Sequence, residues 1–292
     1  MKLIESSYKI LPQEPGLDGI YKMCEIAGRT AYKSEYRITE GSAKKFVDAL
    51  IRLNHGAVLE HGTIYLKFRN YIEQVSEFTM ENSTYTADRY INNKYSKVKQ
   101  VGDYMYVTTN LRVLLENDCM DDLQYLCEPT EHHAKRVSVK FICSRSIAQE
   151  ITRHRVFSFL MESQRYVAYN KDKFGGEITY IIPDWVKLRM NDLSEDDFFD
   201  CQDKAVKRWF EALRYAEYEY MGLIGEGLKA EEARSVLPND CKTELVMTGF
   251  ISDWEHFFDL RALDKTGKAH ADIKALACPL RAEFILNEYV NY

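Results

Sequence analysis

The amino-acid sequence predicts an α+β fold in which helices pack against a largely antiparallel β-sheet. Segments that alternate apolar and polar residues, as strands do, lie in the first two thirds of the 292 residues. Helical spacing of apolar residues dominates the last third, and this separation of strands from helices is typical of α+β proteins. Because the chain has no internal repeat and no linker rich in Pro, Gly or Ser, we expect a single domain over residues 1–292.

The first helix that the pattern predicts covers residues 42–55, "SAKKFVDALIRLNH". Phe46, Leu50 and Leu53 recur at helical spacing, and Gly56 follows as a residue suited to end the helix. Four later segments are rich in β-branched and aromatic residues, which indicates strands. They are 63–69 "TIYLKFR", 104–109 "YMYVTT", 137–144 "VSVKFICS" and 177–183 "EITYIIP", the last of which follows a Gly175-Gly176 turn.

Helices are predicted from the middle of the chain onward. The segment 146–154, "SIAQEITRH", carries Ile147 and Ile151 one turn apart and predicts a short helix. The stretch 196–221 predicts a long helix rich in Tyr and Trp. From residue 230 to the end the pattern is helical, with breaks near Pro238, Gly267 and Pro279.

The composition argues against several classes of protein. A formal net charge of -6 gives no global attraction for nucleic acid, so any site for a polyanion must be local. Seven cysteines without a C-x-x-C pair argue against structural zinc and favour free thiols in a reducing cytoplasm. No stretch approaches 18 apolar residues and no signal peptide is evident, so we expect no membrane span.

A short basic stretch, 151–170 "ITRHRVFSFLMESQRYVAYN", is the strongest candidate for a functional site. Arg153, His154, Arg155 and Arg165 offer fixed donors that match phosphate or carboxylate oxygens, whether the chain there is helical or extended. A basic surface patch paired with acidic residues is the ordinary alternative. Apolar neighbours favour burial of these arginines. Ser163 and Gln164 can form hydrogen bonds with the polar groups of a heterocycle. The stretch therefore indicates a small phosphorylated ligand.

The same stretch resembles the signature of the flavin-dependent thymidylate synthases, the ThyX family. Arg153-His154-Arg155 is followed by seven residues and then Ser163, and the pattern continues into Gln164-Arg165-Tyr166, as in many members. Further resemblance lies in "NHGAVLEHGTIYLKF", "ARSVLP" and "DWEHFFDLRA". These segments supply the matching residues His55, Glu60, His61, Arg234, His256 and Arg261.

The resemblance implies an activity and a set of site residues. The family converts dUMP to dTMP, with methylenetetrahydrofolate as one-carbon donor and NADPH as reductant through FAD, and reduced flavin supplies the hydride. It implies a ThyX-like fold, a homotetramer whose subunits share active sites, no metal, and no cysteine nucleophile. Arg261 would be catalytic. The residues implied for dUMP are Glu150, Arg153, Glu162, Ser163, Gln164, Arg165, Arg234 and Arg261, and those for FAD are His55, Glu60, Arg153, His154, Arg155 and His256.

The chain also departs from the family pattern. Ala57, Leu160, Met161 and Phe250 stand where members often have polar residues, and residues 70–136 contain much of the extra length. These departures keep a catalytically inactive, nucleotide-binding relative as one alternative. A second is a nucleic-acid-binding protein, since "YTADRYINNKYSKVK" at 85–99 mixes basic and aromatic residues that could stack on bases. The tyrosine-rich stretch 82–110 is predicted to be a surface loop that leads into the strand at 104–109, with an excursion over a binding cleft as the alternative.

Overall fold

The computed structural model describes residues 1–69, 89–164, 169, 176–190 and 195–290. Its strands form a four-stranded sheet of order β2-β6-β9-β7, a three-stranded sheet of order β3-β5-β4, and a β1-β8 pair. The strands are β1 Lys2–Ile4, β2 Ser7–Leu11, β3 Thr63–Arg69, β4 Lys97–Val101, β5 Tyr104–Asn110, β6 Arg136–Ser144, β7 Ser158–Met161, β8 Thr179–Ile181 and β9 Lys242–Phe250.

Helices surround these sheets and complete an α+β architecture. They are α1 Gly16–Tyr32, α2 Ser42–Arg52, α3 Gly56–Leu59, α4 Leu111–Glu116, α5 Arg145–Ile151, α6 Asp184–Lys187, α7 Glu195–Phe199, α8 Lys204–Gly225, α9 Ala230–Ala233, α10 Ile251–Arg261 and α11 Ala271–Leu286. Within the described residues, no helix combines the length and the apolar character needed to span a bilayer.

All neighbouring strands in the two larger sheets run antiparallel, whereas β1 and β8 pair in parallel. The largely antiparallel character that the sequence predicted is therefore confirmed. In the four-stranded sheet, β6 pairs with β9 over nine residues, from Arg136 opposite Phe250 to Ser144 opposite Lys242. This long pairing places the start of α5 beside the start of β9, and it fixes where the segment after α5 begins.

The two larger hydrophobic cores of the described residues lie on the four-stranded and the three-stranded sheets. In the first, Phe141 and Met247 of the four-stranded sheet pack with Trp254 and Phe257 of α10 and Phe284 of α11. Full burial of side chains of this size stabilises the fold by roughly 1.5–3 kcal/mol each. In the second, α1 and α2 pack against the three-stranded sheet through residues such as Ile20, Val47, Leu50, Ile64 and Val107. Ile151 of α5 belongs to the same core as Trp254 and Phe257, so this packing places α10 beside the end of α5.

The described part of the 70–136 region contributes to the second core. Tyr90, Met105 and Leu111 are buried there, and Gly102, with φ of 55°, forms the turn between β4 and β5. The predicted strand at 104–109 is confirmed. The surface loop that was predicted to lead into this strand is wrong for residues 97–101, because they form β4 and pair with β5 in a hairpin. Residues 82–88 lie outside the described residues.

Most of the other predicted elements are confirmed, with shifted ends. The strands predicted at 63–69 and 137–144 match β3 and β6, and the short helix predicted at 146–154 matches α5. The strand predicted at 177–183 is shorter, at Thr179–Ile181. The helix at 42–52 is confirmed, but the left-handed residue after it is Asn54, with φ of 55°, and Gly56 instead begins α3.

Three predictions for the last third are wrong. The long helix predicted at 196–221 is split into α7 and α8, because the Asp203 side chain accepts hydrogen bonds from Ala205 and Val206 and starts a new helix. Residues 242–250, predicted as helical, form β9, whose positions 243–250 are all buried and so show no alternation. Pro279 lies inside α11 instead of ending a helix.

Candidate active site

The basic stretch begins where α5 ends. The Ser144 hydroxyl caps α5 by accepting from the backbone N–H of Ile147, and the helix ends at Ile151. The chain then turns, since the N–H of Arg153 donates to the carbonyl of Glu150 and that of His154 to Ile151. Neither the helical nor the extended alternative describes this turn. The turn directs Arg153 and Arg155 to solvent and buries His154 at 8% exposure.

Arg261 joins this turn from the last residue of α10. Its Nε donates to Nε2 of His154 at 3.1 Å, and its Nη1 donates to Oε2 of Glu150 at 3.1 Å. In the sequence, Arg261 is 107 positions from His154 and 111 positions from Glu150. The packing of α10 on the sheet brings the three residues together. The guanidinium is held in a defined orientation by one carboxylate and one imidazole, as a precisely placed cation requires.

The imidazole of His154 is electrically neutral near pH 7. Burial, the Arg261 guanidinium and His256 together lower the pKa of His154 to about 4. Because Nε2 accepts from Arg261, the single proton of the neutral ring lies on Nδ1. The ring can therefore donate a hydrogen bond to a ligand only through its Nδ1–H group.

These groups line an open cleft of about 860 Å³ between α5 and α10. The cleft contains predicted residues from two separate parts of the sequence: Glu150, Arg153, His154, Arg155, His256 and Arg261. The structure adds Ser146 and Gln149, which the sequence analysis missed. Both lie one helical turn before residues already predicted, and that i, i+4 relation to Glu150 and Arg153 could have identified them. The cleft offers cations and amide groups to an anionic heterocyclic ligand.

Other residues predicted for dUMP lie outside this cleft. Glu162 follows β7 and lines a separate cleft of about 730 Å³. Its buried carboxylate accepts from Lys242 at 2.8 Å, and its backbone N–H donates to Glu244. The N–H of Ser163 donates to the carbonyl of Ala31, and these contacts anchor the segment.

The predicted residues after Ser163 are only partly described. Gln164 is buried, and its amide donates to the Tyr169 hydroxyl at 3.3 Å, so this side chain serves an internal contact. Arg165 lies outside the described residues. Arg234 is half-buried in a short 3₁₀ turn, where its Nε donates to the carbonyl of Glu231. Within one chain, the residues predicted for dUMP are therefore divided between sites.

The two residues predicted for FAD near the start of β3 are also outside the Arg261 cleft. His55 is exposed at the beginning of α3, and Glu60 forms an ion pair with Arg112 at 2.5 Å. His61 beside them is fully buried, and its Nδ1 hydrogen-bonds to Thr248 at 2.7 Å. Burial and the nearby Arg136 lower the pKa of His61 to about 3, so this ring is neutral and structural.

The departures from the family pattern have structural roles. Leu160 packs on the second core and Met161 on the first. Phe250 precedes α10, where its ring lies 4.5 Å from the ammonium of Lys97. Cys278, in the apolar run of α11, is exposed. The described residues contain no group of three or more His, Cys, Asp or Glu side chains arranged to hold a metal ion.

Fold and cleft together define an α+β protein with an arginine-lined site suited to an anionic ligand. A model of the family described as "Thymidylate synthase complementing protein" matches residues 119–285, more than half of the chain, and this range includes α5, β9 and α10. The chain belongs to this family, the family of the flavin-dependent thymidylate synthases, and the resemblance of its R-H-R signature is confirmed.

Curated relatives match about half of the chain. The flavin-dependent thymidylate synthase of Synechocystis is 34% identical over 146 residues, which are 48% of this chain and 63% of that protein. The enzyme of the same name from Pyrococcus horikoshii is 31% identical over 123 residues, 42% of this chain and 44% of that protein. The chain thus spans about half the length of the curated relatives it matches.

Among solved structures, a UMP/dUMP methylase PolB from Streptomyces cacaoi, bound with 5-Br dUMP, aligns with 98% of this chain and 93% of its own. The sequence identity is 16% and the TM-score is 0.45, which is too low to establish a common fold.

Proposed function

We propose that this protein is a flavin-dependent thymidylate synthase that converts dUMP to dTMP. The proposal takes methylenetetrahydrofolate as the one-carbon donor and NADPH as the reductant of FAD. The observation that carries it is the Arg261 guanidinium, held by Glu150 and His154 in a cleft that also contains Arg153 and Arg155. Membership of the family adds independent support.

The donor set of the cleft fits a flavin nucleotide. Arg153 and Arg155 are exposed at its edge, where guanidinium groups can bind phosphate oxygens in a bidentate manner. Buried His154 and exposed His256 add imidazole groups to the same cleft. When bound, the reduced flavin supplies the hydride that completes the methyl group, and the protein supplies orientation and electrostatics.

Arg261 has the catalytic role in this proposal. Negative charge develops at N3 and the adjacent carbonyl of the pyrimidine, and a fixed guanidinium stabilises it in the manner of an oxyanion hole. Glu150 and neutral His154 set the direction of the guanidinium before substrate arrives, so little reorganisation is needed. A protonated His154 would repel Arg261, and its lowered pKa avoids this near pH 7.

The division of the dUMP residues supports a shared active site. Glu150, Arg153 and Arg261 line one cleft of the chain, whereas Glu162 lines another. We propose that a homotetramer brings the Arg261 cleft of one subunit to Ser163, Gln164, Arg165 and Arg234 of other subunits. We further expect a cytoplasmic enzyme that does not bind nucleic acid.

Replacing Arg261 tests the proposal. Arg261→Ala should keep bound flavin and its yellow colour, yet lower turnover by roughly 10²–10³, the usual effect of removing one such donor. Lys265→Ala is the control, because this exposed lysine just beyond α10 pairs only with Asp259 among the described residues. Turnover is measured by tritium release from labelled dUMP with NADPH and methylenetetrahydrofolate, with and without added FAD.

Three outcomes would contradict the proposal in different ways. Undiminished turnover in Arg261→Ala would refute the role of that residue. Bound flavin without tritium release from the wild-type protein would favour the inactive relative. A colourless protein whose affinity for nucleic acid rises at low salt would favour the nucleic-acid-binding alternative.

A further inference from the structure

A buried ion pair connects Glu162, the first residue of the predicted dUMP segment 162–165, to Lys242, the first residue of β9. The ammonium of Lys242 lies 2.8 Å from Oε2 of Glu162, and the two side chains are 15% and 3% exposed. The same ammonium lies 2.6 Å from Glu244. Among the described residues, Lys242 is the only cation that pairs with Glu162, whereas three lysines pair with Glu244. Loss of the Lys242 charge would therefore leave Glu162, and not Glu244, unpaired in a buried position.

The carboxylate of Glu162 is poorly suited to contact dUMP directly. The phosphate of dUMP is an anion, so a carboxylate repels it, and this carboxylate is already buried against Lys242. Burial lowers the pKa of Lys242, but the charges of Glu162 and Glu244 outweigh burial and raise it above its ordinary value. Lys242 is therefore a cation near pH 7, and the pair is a stable internal contact.

The backbone around Glu162 is held as well. Its N–H donates to the carbonyl of Glu244 at 2.8 Å, and the N–H of Ser163 donates to the carbonyl of Ala31 at 3.2 Å. Gln164, the next residue, is buried and makes an internal hydrogen bond. Half-buried Ser163 thus lies between two buried neighbours, so the contact that holds the Glu162 side chain also limits where Ser163 can lie.

We propose that Lys242 is a positioning residue for the dUMP segment, and that it acts through its ion pair with Glu162. In this inference, which rests on the proposed function, the pair holds Ser163 and Gln164 in place and does not itself touch dUMP. Lys242 suits this role because it belongs to the nine-residue pairing of β6 with β9, where it lies opposite Ser144, the residue that caps α5. A charge-assisted hydrogen bond to a paired strand fixes the segment more precisely than its backbone contacts alone.

The experiment measures dUMP binding to the full-length protein with added FAD by calorimetry, and turnover by tritium release. Lys242→Met leaves the Glu162 carboxylate buried and unpaired, so the segment must shift to bring it to water, and dUMP binding should weaken by at least about tenfold. The kcat at saturating dUMP should stay within about threefold of the wild-type value, because the pair acts on binding. Lys140→Met is the matched control, since Lys140 pairs with Glu244 and does not contact Glu162. It should leave dUMP binding unchanged, whereas an equal loss in both variants would indicate a merely structural role and overturn the inference.

A double variant separates positioning from direct contact. Apolar side chains of similar length often replace a buried ion pair without loss, so Lys242→Met combined with Glu162→Met should bind dUMP within about threefold of the wild-type affinity. A double variant that binds as weakly as Lys242→Met would show that one of the two charges contacts dUMP, and this result would overturn the inference.

Glu162→Ala keeps the inference testable if Lys242→Met does not fold, because Lys242 then remains paired with Glu244. Removal of a negative charge near an anionic ligand would by itself tighten dUMP binding, whereas loss of the positioning contact should weaken it by at least about fivefold. Glu35→Ala is the control, since Glu35 lines the same cleft as Glu162 but pairs with Lys33 and Lys140. This control should not weaken binding.

The failure of this inference is distinguishable from failure of the proposed function. Unchanged or tighter dUMP binding by Glu162→Ala would overturn the inference and leave the proposed function intact. Binding of dUMP by the wild-type protein without tritium release would instead reject the proposed function, and weaker binding by Lys242→Met would still support the positioning role.

Discussion

Replacing Glu244 by Gln tests the electrostatics of the sheet next to the predicted substrate segment. Glu244 lies in β9 with its side chain only 6% exposed, and three lysine ammonium groups surround its carboxylate. Lys33 comes from the residue after α1, Lys140 from β6 and Lys242 from β9, the last at 2.6 Å. The carboxylate therefore connects α1 to two strands of the sheet.

The magnitude follows from the pKa of this carboxyl group. Burial raises it, but the charges of Lys242 and Lys33 outweigh burial and lower the pKa of Glu244 from 4.5 to about 2. A tenfold change in proton affinity corresponds to about 1.4 kcal/mol, so the charged form contributes about 3 kcal/mol to the free energy of unfolding. Because the folded-state pKa is the lower one, this contribution is present above pH 4.5 and is lost as the pH falls towards 2.

Urea unfolding at fixed protein concentration measures the effect. Glu244→Gln should lose about 3 kcal/mol at pH 7, and its difference from the wild-type protein should shrink at pH 3. Asp48→Asn is the control, because Asp48 and Lys44 form an exposed pair on α2 that contributes at most about 0.5 kcal/mol. A loss for Glu244→Gln no larger than for Asp48→Asn, or a loss independent of pH, would refute the reasoning.

Two further predictions concern the stability of the fold, one at His154 and one at two glycines. His154 resists protonation in the folded state, with a pKa of about 4 against 6.5, so stability should fall as the pH drops from 6.5 towards 4. His154→Asn should flatten that decline in urea unfolding, and an unchanged slope would contradict the burial argument. At Gly249, an added Cβ would lie 2.3 Å from Cδ1 of Phe157, whereas at Gly222 in α8 nothing lies within 4 Å. Gly249→Ala should lower stability by roughly 1–3 kcal/mol and Gly222→Ala should raise it by about 0.5 kcal/mol, as thermal unfolding would show by opposite shifts.

The sequence predicted the helices and strands whose apolar residues recur with a clear period. The strand 63–69 and the helix 42–52 were found because each has one apolar and one polar face, which gives a clear period. The strand 242–250 was missed because all its residues after Lys242 are buried, which removes the period. The break at Asp203 depends on one capping side chain, and that signal is weak beside a long run of helix-forming residues.

In the candidate site, too, some features were predicted from the sequence and others were not. The spacing of Arg153, His154, Arg155 and Ser163 identified the family from the sequence alone, and the family model confirms it. Neither spacing nor resemblance predicted that Arg261 would bond to both His154 and Glu150, or that His154 would be buried and neutral. Those facts depend on α10 packing beside the end of α5.

The sequence by itself thus determined the family, the mixed class of fold and most of the charged residues of the cleft. The tertiary structure alone decided which of them meet, because ion pairs and pKa values depend on distance and burial between segments far apart in the chain. It separated Glu162 from the Arg261 cleft. Sequence patterns record which face of an element is apolar, and they do not record which elements come to face each other.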